Sequence, residues 1–476
     1  MIFVLSRRSL TYIIISFILF FSCSRNHITE HSVQISYRDL DGIKERGKLV
    51  AVTDFNSTSY FIYKGEPMGF NFELLGAFAG HLGVELEIIS ENDPDRALSL
   101  LNRGEADIVA MGFPANGRWS DQVRFTSTIH ETREVLVQRK PERWRNMTAD
   151  RVNTLMLRDH HDLAGKVVYV PRGSWYSQRI TQLQGEIGDT IFTVELPYEV
   201  EGLVSLVARG EIDYTICDEN YAMVARRFYP DIDVNTHVSF LQKRAWAMRK
   251  LESDELAAGF DSWLETYRSN GKYALLYAKY YRNPRSGVIY TSRYYGNSTG
   301  RISPWDELIR QYSDSISWDW RLLASLIYQE SRFDPYVTSR AGAFGLMQIM
   351  PATGARYGID INSTPENNIR AGVMYIRYLD RMFSEKVPDA DERLKFILAS
   401  YNAGPGHVLD AMRLADSEGG DSMTWHGSVE KYIQKKSEPD YFNHPEVYHG
   451  YFTGRETTRF VTDIMKRYDH YRNIIK

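Results

Sequence analysis

Glu330 closes a stretch, "SWDWRLLASLIYQES", in which Leu323, Leu326, Ile327 and Glu330 recur at three- and four-residue spacing. That spacing puts all four on one face of a helix. A carboxyl on an apolar face is costly to ionise, so it holds its proton to higher pH. A protonated carboxyl at a cleft edge is the general acid of glycoside cleavage. The longer segment "IYQESRFDPYVTSRAGAFGLMQIMP" adds glycines and a Met-Gln pair, but no histidine, no cysteine and, beyond Glu330, only one carboxylate, Asp334. Hydrolytic glycoside cleavage usually takes two carboxylates. Spacing alone leaves a competing reading, a surface glutamate at a helix end, because helix phase is not fixed to one residue.

The elements around this stretch are helical. Ser317 is the expected cap of its helix. "TPENNIRAGVMYIRYLDRMF" places Thr364 at the N-cap and Pro365 at the first helical position. Its apolar face is Ile369, Val373, Ile376, Leu379 and Phe383. "DERLKFILASYNAGPG" ends a third helix on Gly404, Pro405 and Gly406, and a fourth covers 455–472. The preceding half reads differently. Strands at 48–53, 84–89 and 106–110 alternate with helices at 71–83 and 94–104. The rhythm returns with strands at 166–170, 190–196 and 212–217 and helices at 175–184 and 200–209. "RGEADI" at 103–108 is echoed by "RGEIDY" at 209–214, which argues for two similar α/β lobes with a cleft between them. The 476 residues exceed what one core organises, so separate domains are expected. A net charge of -4 gives no reason to expect a nucleic-acid partner. The 31 tyrosines and 9 tryptophans suit sugar or peptide stacking as well as core packing.

"YKGEPMGFNFELLGAFAGHLGVELEI", "LNRGEADIVA", "FTSTIHE" and "RGEIDYTICDE" resemble the bacterial extracellular solute-binding proteins of family 3, over about 40–267. The resemblance implies a first domain at 40–270. Its chain should cross to the second lobe near 137–144 and return near 242–247, leaving that lobe at about 140–244. It also implies a ligand site: Arg118 for a ligand carboxylate, Ser174 and Trp175 at a helix start, and Asp218 for a ligand ammonium. Read as residues alone, Arg118 is equally a surface ion pair and Asp218 a helix cap. Phe113, Pro114 and Ala115 replace the family's serine-threonine segment, which weakens the case for a free amino acid. A muropeptide or stem peptide is the expected ligand.

"ESRFDPYVTSRAGAFGLMQIMP", "SYNAGPG" and "RETTRFV" resemble the lytic transglycosylase family of lysozyme-like fold, over about 302–476. The implied fold class is a two-lobed α/β domain like periplasmic binding proteins, followed by a mainly α lysozyme-like domain. The implied activity is cleavage of peptidoglycan glycan strands with Glu330 as the single acid. Substrate-side roles fall on Ser331, Gly345, Met347, Gln348, Tyr401, Asn402 and Glu456. Met347 is expected as an apolar floor, Gln348 as a sugar hydrogen-bonder, and Tyr401 with Asn402 as orienters. No cofactor or metal is implied. Alternatives are hydrolysis on the same fold, with Asp334 as second acid, and a catalytically silent wall-binding sensor.

Arg7 and Arg8, the apolar "LTYIIISFILFF" and "SCS" with Cys23 read as an export signal. The stretch resembles a bacterial lipoprotein signal, with residues 1–22 removed, Cys23 lipidated and 23–39 a tether. That predicts an outer-membrane lipoprotein facing the periplasm. The competing reading is a poor anchor helix with an incidental cysteine. Cys217 is the other cysteine, so a lipidated Cys23 leaves no internal disulfide. The tyrosine-rich 271–301 reads as a linker.

Overall fold

The computed structural model describes residues 39–115, 118–283 and 300–475. Cys23, its apolar stretch and most of the expected linker lie outside them. No helix among the described residues is long and apolar enough to cross a membrane.

The first half holds two sheets. Strands β1 (Lys48–Thr53), β4 (Glu85–Ser90) and β5 (Ile108–Pro114) form the first sheet with β6 (Val123–Phe125), β7 (His130–Thr132) and β13 (Gln242–Arg249). Its order is β4-β1-β5-β13-β6, with β7 beside β13. A hairpin of β2 (Phe61–Tyr63) and β3 (Glu66–Met68) stands apart. The parallel pairs β1–β4 and β1–β5 require crossovers, supplied by α1 (Phe70–Leu82) and α2 (Pro94–Asn102). Gly83, in left-handed conformation, ends α1, and the Asp93 side chain caps α2 ahead of Pro94.

The second sheet holds β8 (Glu134–Arg139), β9 (Val167–Pro171), β10 (Phe192–Leu196), β11 (Tyr214–Asp218) and β12 (Ile232–His237), in the order β10-β9-β11-β8-β12. Helices α3 (Trp175–Ile187) and α4 (Val200–Arg209) cover it. The chain therefore crosses at Arg133, between β7 and β8, and not near 137–144. Val135, Leu136 and Val137 are fully buried in the second lobe, where β8 lies between β11 and β12. The turn-rich residues after Arg139 are the exit of that strand. The return passes through 238–241, just ahead of the expected 242–247, so the second lobe spans 134–237. Beside both crossings Arg244 is fully buried, with its Nη2 2.5 Å from Glu134 and 2.5 Å from Asp218.

The first domain also continues past the expected linker start. Tyr273, Tyr277 and Tyr281 recur every fourth residue and pack their rings around Phe70. Residues 272–282, expected at the start of the linker, are helical, and these three tyrosines form their inner face.

In the second half, α5 (Trp320–Ser331) is capped by Asp319, which accepts the Arg321 N–H at 2.9 Å. Ser317 sits two residues earlier at φ 55° and is not the cap. Helix α6 (Pro365–Phe383) starts as expected, with the Thr364 hydroxyl accepting the Asn367 N–H, and its five expected apolar residues are buried. Helix α7 (Ala390–Ala403) ends at Gly404, but Pro405 at once begins α8 (Pro405–Ser417), so the Gly-Pro-Gly run is a corner. The last helix, α9, is Arg455–Ile474.

The two halves share one core, a continuous apolar cluster running from Ile43 to Ile475. Across the seam, Tyr60 Oη lies 2.7 Å from His470 Nδ1, Tyr471 Oη donates to the Gly65 carbonyl at 2.8 Å, and Asn473 donates to Ile88 O at 2.7 Å. The Tyr328 hydroxyl bonds Glu66, which seats the β2–β3 hairpin on α5. Gly65 at the hairpin turn has φ 83°, and a Cβ there would lie 2.5 Å from the Tyr328 ring.

Candidate active site

Helix α5 packs Leu323, Leu326 and Ile327 fully inside and brings Glu330, a half-buried residue, to its last turn. Among the described residues Glu330 makes no hydrogen bond or ion pair. Burial alone pushes its carboxyl from 4.5 up to about 8. Asp334 is exposed, and its Oδ1 accepts the Tyr336 N–H at 2.9 Å, which fixes the turn after the helix.

That turn is strained: Arg332 and Phe333 take φ 52° and 64°. It throws the chain into a loop that faces back on itself, with Gly345 N donating to Val337 O at 3.1 Å and Phe344 exchanging bonds with Ile349 at 3.1 and 3.0 Å. Asn368 of α6 holds this loop from beneath. Its Oδ1 accepts the Met347 N–H at 2.8 Å and its Nδ2 donates to Phe344 O at 3.0 Å. From α7, the Tyr401 hydroxyl donates to Met347 O at 2.7 Å. Burial, then the Glu330 charge, raises the Tyr401 phenol. Asn402 is exposed, and its Oδ1 accepts the Thr457 hydroxyl at 2.6 Å from the first turn of α9.

Several expected roles shift. The Met347 side chain is fully buried against Gly372 and is core, not groove floor; the loop uses its backbone. Gly345 is buried, with φ 77°, because any Cβ would run into the Asn368 amide, so its smallness serves that clamp. Gln348, at φ 46°, donates its side-chain nitrogen to Val337 O at 3.0 Å and Gly345 O at 2.8 Å, so its amide holds the loop. Ser331 is buried and donates to Ile327 O at 3.1 Å. Glu456 is exposed, while its neighbour Thr457 makes the contact to Asn402. Thr457 belongs to the tail motif but carries no role in the sequence reading, and Asn368 is not singled out there. The one signal for Asn368 is a polar residue adjoining the apolar face of α6.

The lobes of the first half enclose a cavity of about 730 Å³. Ser174, Trp175 and Asp218 line it, but Arg118 does not. Its guanidinium pairs with Asp95 at 2.8 Å, donates to Gly173 O at 3.2 Å and stacks on Trp119, the surface ion pair of the alternative reading. Asp218 is engaged by Arg244 and makes no capping bond. Asn473, Ile474 and Ile475, at the end of α9, also line the cavity. Among the described residues one group has metal-ligand spacing, the contiguous Asp159, His160 and His161 on the second lobe's surface, where Asp159 caps its own turn.

Residues 307–423 match the Transglycosylase SLT domain, and residues 49–283 match the bacterial extracellular solute-binding proteins, family 3. A protein of Desulfosudis oleivorans named membrane-bound lytic murein transglycosylase F is 32% identical over 91% of this chain and 92% of its own. The chain belongs to that family. The transglycosylase F of Vibrio cholerae is 31% identical, over 90% of this chain and 80% of its own. The solved structure of an ancestral arginine-binding protein bound to arginine covers 50% of this chain and 99% of its own, at 23% identity and a TM-score of 0.42. As a member of that family, the protein is a lytic transglycosylase, a lyase acting on peptidoglycan.

An acid that must start protonated gives a specific pH profile. With Glu330 raised to about 8, the competent form dominates below that pH and is lost above it. The rate of glycan release at limiting substrate is expected to be flat through neutrality and to fall roughly tenfold per pH unit above 8. A limb falling already below pH 6 would show that another group is the acid.

Proposed function

We propose that the enzyme cleaves the β-1,4 bond between N-acetylmuramic acid and N-acetylglucosamine without consuming water. Glu330 protonates the glycosidic oxygen, then takes the proton of the muramic C6 hydroxyl as that oxygen attacks C1 of its own ring. The C1–leaving-oxygen bond breaks, a 1,6-anhydro ring forms, and the proton count on Glu330 is restored. The observation that carries this is Glu330, whose shift has burial as its one cause, with no carboxylate contributing to it among the described residues. An internal nucleophile makes a second acid unnecessary. Hydrolysis would ask Asp334 to activate water, whereas that side chain is exposed and braces a turn. Digestion of sacculi in ¹⁸O-water separates the two: the proposed product is one water lighter and unlabelled, and labelled reducing ends would refute it.

The first domain is proposed to bind a muropeptide or stem peptide and to set the rate of cleavage, in the direction of activation. Helix α9 supports this, with its first turn at Asn402 and its last in the interlobe cavity. Ile475 O also accepts Arg321 Nη1 at 2.6 Å, joining the cavity to the start of α5. Coupling needs two sites and an element both bias. Because the halves share a core, cutting the chain at the linker would expose apolar surface; a point change at the seam is the cleaner probe. Gly65→Val drives a branched side chain into Tyr328 at positive φ. Stem peptide is expected to change the cleavage rate of wild type and not of this variant, with peptide binding retained by calorimetry. Equal responses would remove the hairpin contact from the coupling.

Anchoring is proposed through a lipid on Cys23. Cys23→Ser is expected to shift the protein from the membrane fraction to the soluble periplasm or leave its signal uncleaved. Unchanged mature protein in the membrane would refute it.

A further inference from the structure

The interlobe cavity carries an excess of negative charge that bears on which peptides it accepts. This rests on the reading of the first domain as a peptide receptor. Six acids line the cavity, Asp54, Glu91, Asp93, Glu199, Glu201 and Asp218, against two arginines, Arg96 and Arg172. Arg96 lies 3.7 Å from Glu91 and 3.4 Å from Asp93, and Asp218 is paired with Arg244. Asp54 of the first lobe then faces Glu199 and Glu201 of the second.

Asp54 is held by neutral donors: the Ser59 hydroxyl at 3.1 Å, the Asn71 amide at 3.3 Å and the Asn56 amide. Glu201 accepts the Ser57 backbone N–H across the lobes. Burial, reinforced by Glu199, raises Asp54 to about 6; burial, reinforced by Asp54 and Glu199, raises Glu201 to about 7. His130 adds no counter-charge, since burial and the nearby Arg244 and Arg268 push its imidazole down to about 3. Carboxylates crowded in this way are relieved by a bound cation.

We infer that the cavity selects peptides carrying a diamino acid whose distal amine is free. The ammonium seats between Asp54, Glu199 and Glu201. A cross-link acylates that amine and turns it into a neutral amide, so cross-linked peptides are rejected. The receptor therefore reads uncross-linked stems.

Calorimetry on the full-length protein in detergent tests this with three probes: L-Ala-γ-D-Glu-L-Lys, its Nε-acetyl derivative, and the norleucine analogue that lacks the amine. The lysine peptide is expected to bind at least about tenfold tighter than either, one charge-assisted contact being worth that much. Glu199→Gln and Asp54→Asn are expected to bring the three affinities together. Glu199 is exposed at the cavity, so its variant keeps the fold. Equal affinities for wild type would overturn the charge selection while leaving the peptide receptor intact. No binding of any probe would overturn both. A preference that survives in both variants would overturn the placement at these carboxylates.

Discussion

Glu330→Gln abolishes release of anhydromuropeptides from sacculi while the circular dichroism spectrum stays that of wild type. Glutamine keeps the shape of the side chain but neither gives nor takes the proton, and general acid–base catalysis of this kind is worth about 10²–10⁴-fold. Glu330→Asp fails as well, since an arm shorter by one methylene misplaces the proton. Residual activity above a few percent would end the single-acid assignment. The same variant has a second, opposite signature. Glu330 is raised from 4.5 to about 8 in the fold, so between those values the unfolded chain ionises there and the native chain does not. Native stability is therefore intact below about 4.5 and is eroded as pH rises through 8. Glutamine has no such dependence. Thermal melts of variant and wild type are expected to coincide near the lower pH and to separate toward the higher one, with the inactive protein the more stable. Coincidence at every pH would mean that Glu330 is not desolvated.

Asp410→Ala costs about 3–5 kcal/mol of folding stability, the range for removing one partner of a buried ion pair. Asp410 in α8 is fully buried and lies 2.5 Å from the Nζ of Lys436, itself fully buried. It also accepts the backbone N–H groups of Tyr448 at 3.0 Å and His449 at 2.9 Å, and bonds Arg413. Without it a buried ammonium has no counter-charge, and the segment leading into α9 loses its tether. Burial opposes the ionised form, but Lys436 and these N–H donors outweigh it and hold Asp410 at about 2. Its folded value is depressed, so its contribution is complete above the ordinary carboxylate range and disappears as pH falls toward 2. Urea unfolding checks the figure; a loss under about 1 kcal/mol would show that the pair behaves like a surface one.

Periodicity was the strongest guide to the site. The face of Leu323, Leu326, Ile327 and Glu330, the bounds of α4 and the Thr364 cap were legible because each rests on local backbone rules. The errors share a cause as well. Ser317 and Asp319 are both good caps two residues apart, and only tertiary contacts choose between them. β7 and β8 are separated by Arg133 alone, inside the polar run from His130 to Glu134, so no glycine, proline or turn marks the lobe crossing. Met347, Gly345 and Ser331 belong to a motif but serve its scaffold, packed against Gly372, Asn368 and Ile327. The shared core was invisible for a similar reason: Tyr60, Tyr328 and Tyr471 carry nothing in their neighbourhoods that distinguishes a seam tyrosine from a surface one.

Helix α9 spans 20 residues, about 30 Å of rise, and reaches from Asn402 to the interlobe cavity. This bears on how such proteins can recombine. A crossover between relatives placed in the segment 284–299, the natural choice between the two family matches, would bring the donor's residues 473–475 into the recipient's cavity. The lining of that cavity is thus written partly in the codons of the enzyme, and a chimera that keeps its parent's cavity must exchange the far end of α9 together with the lobes.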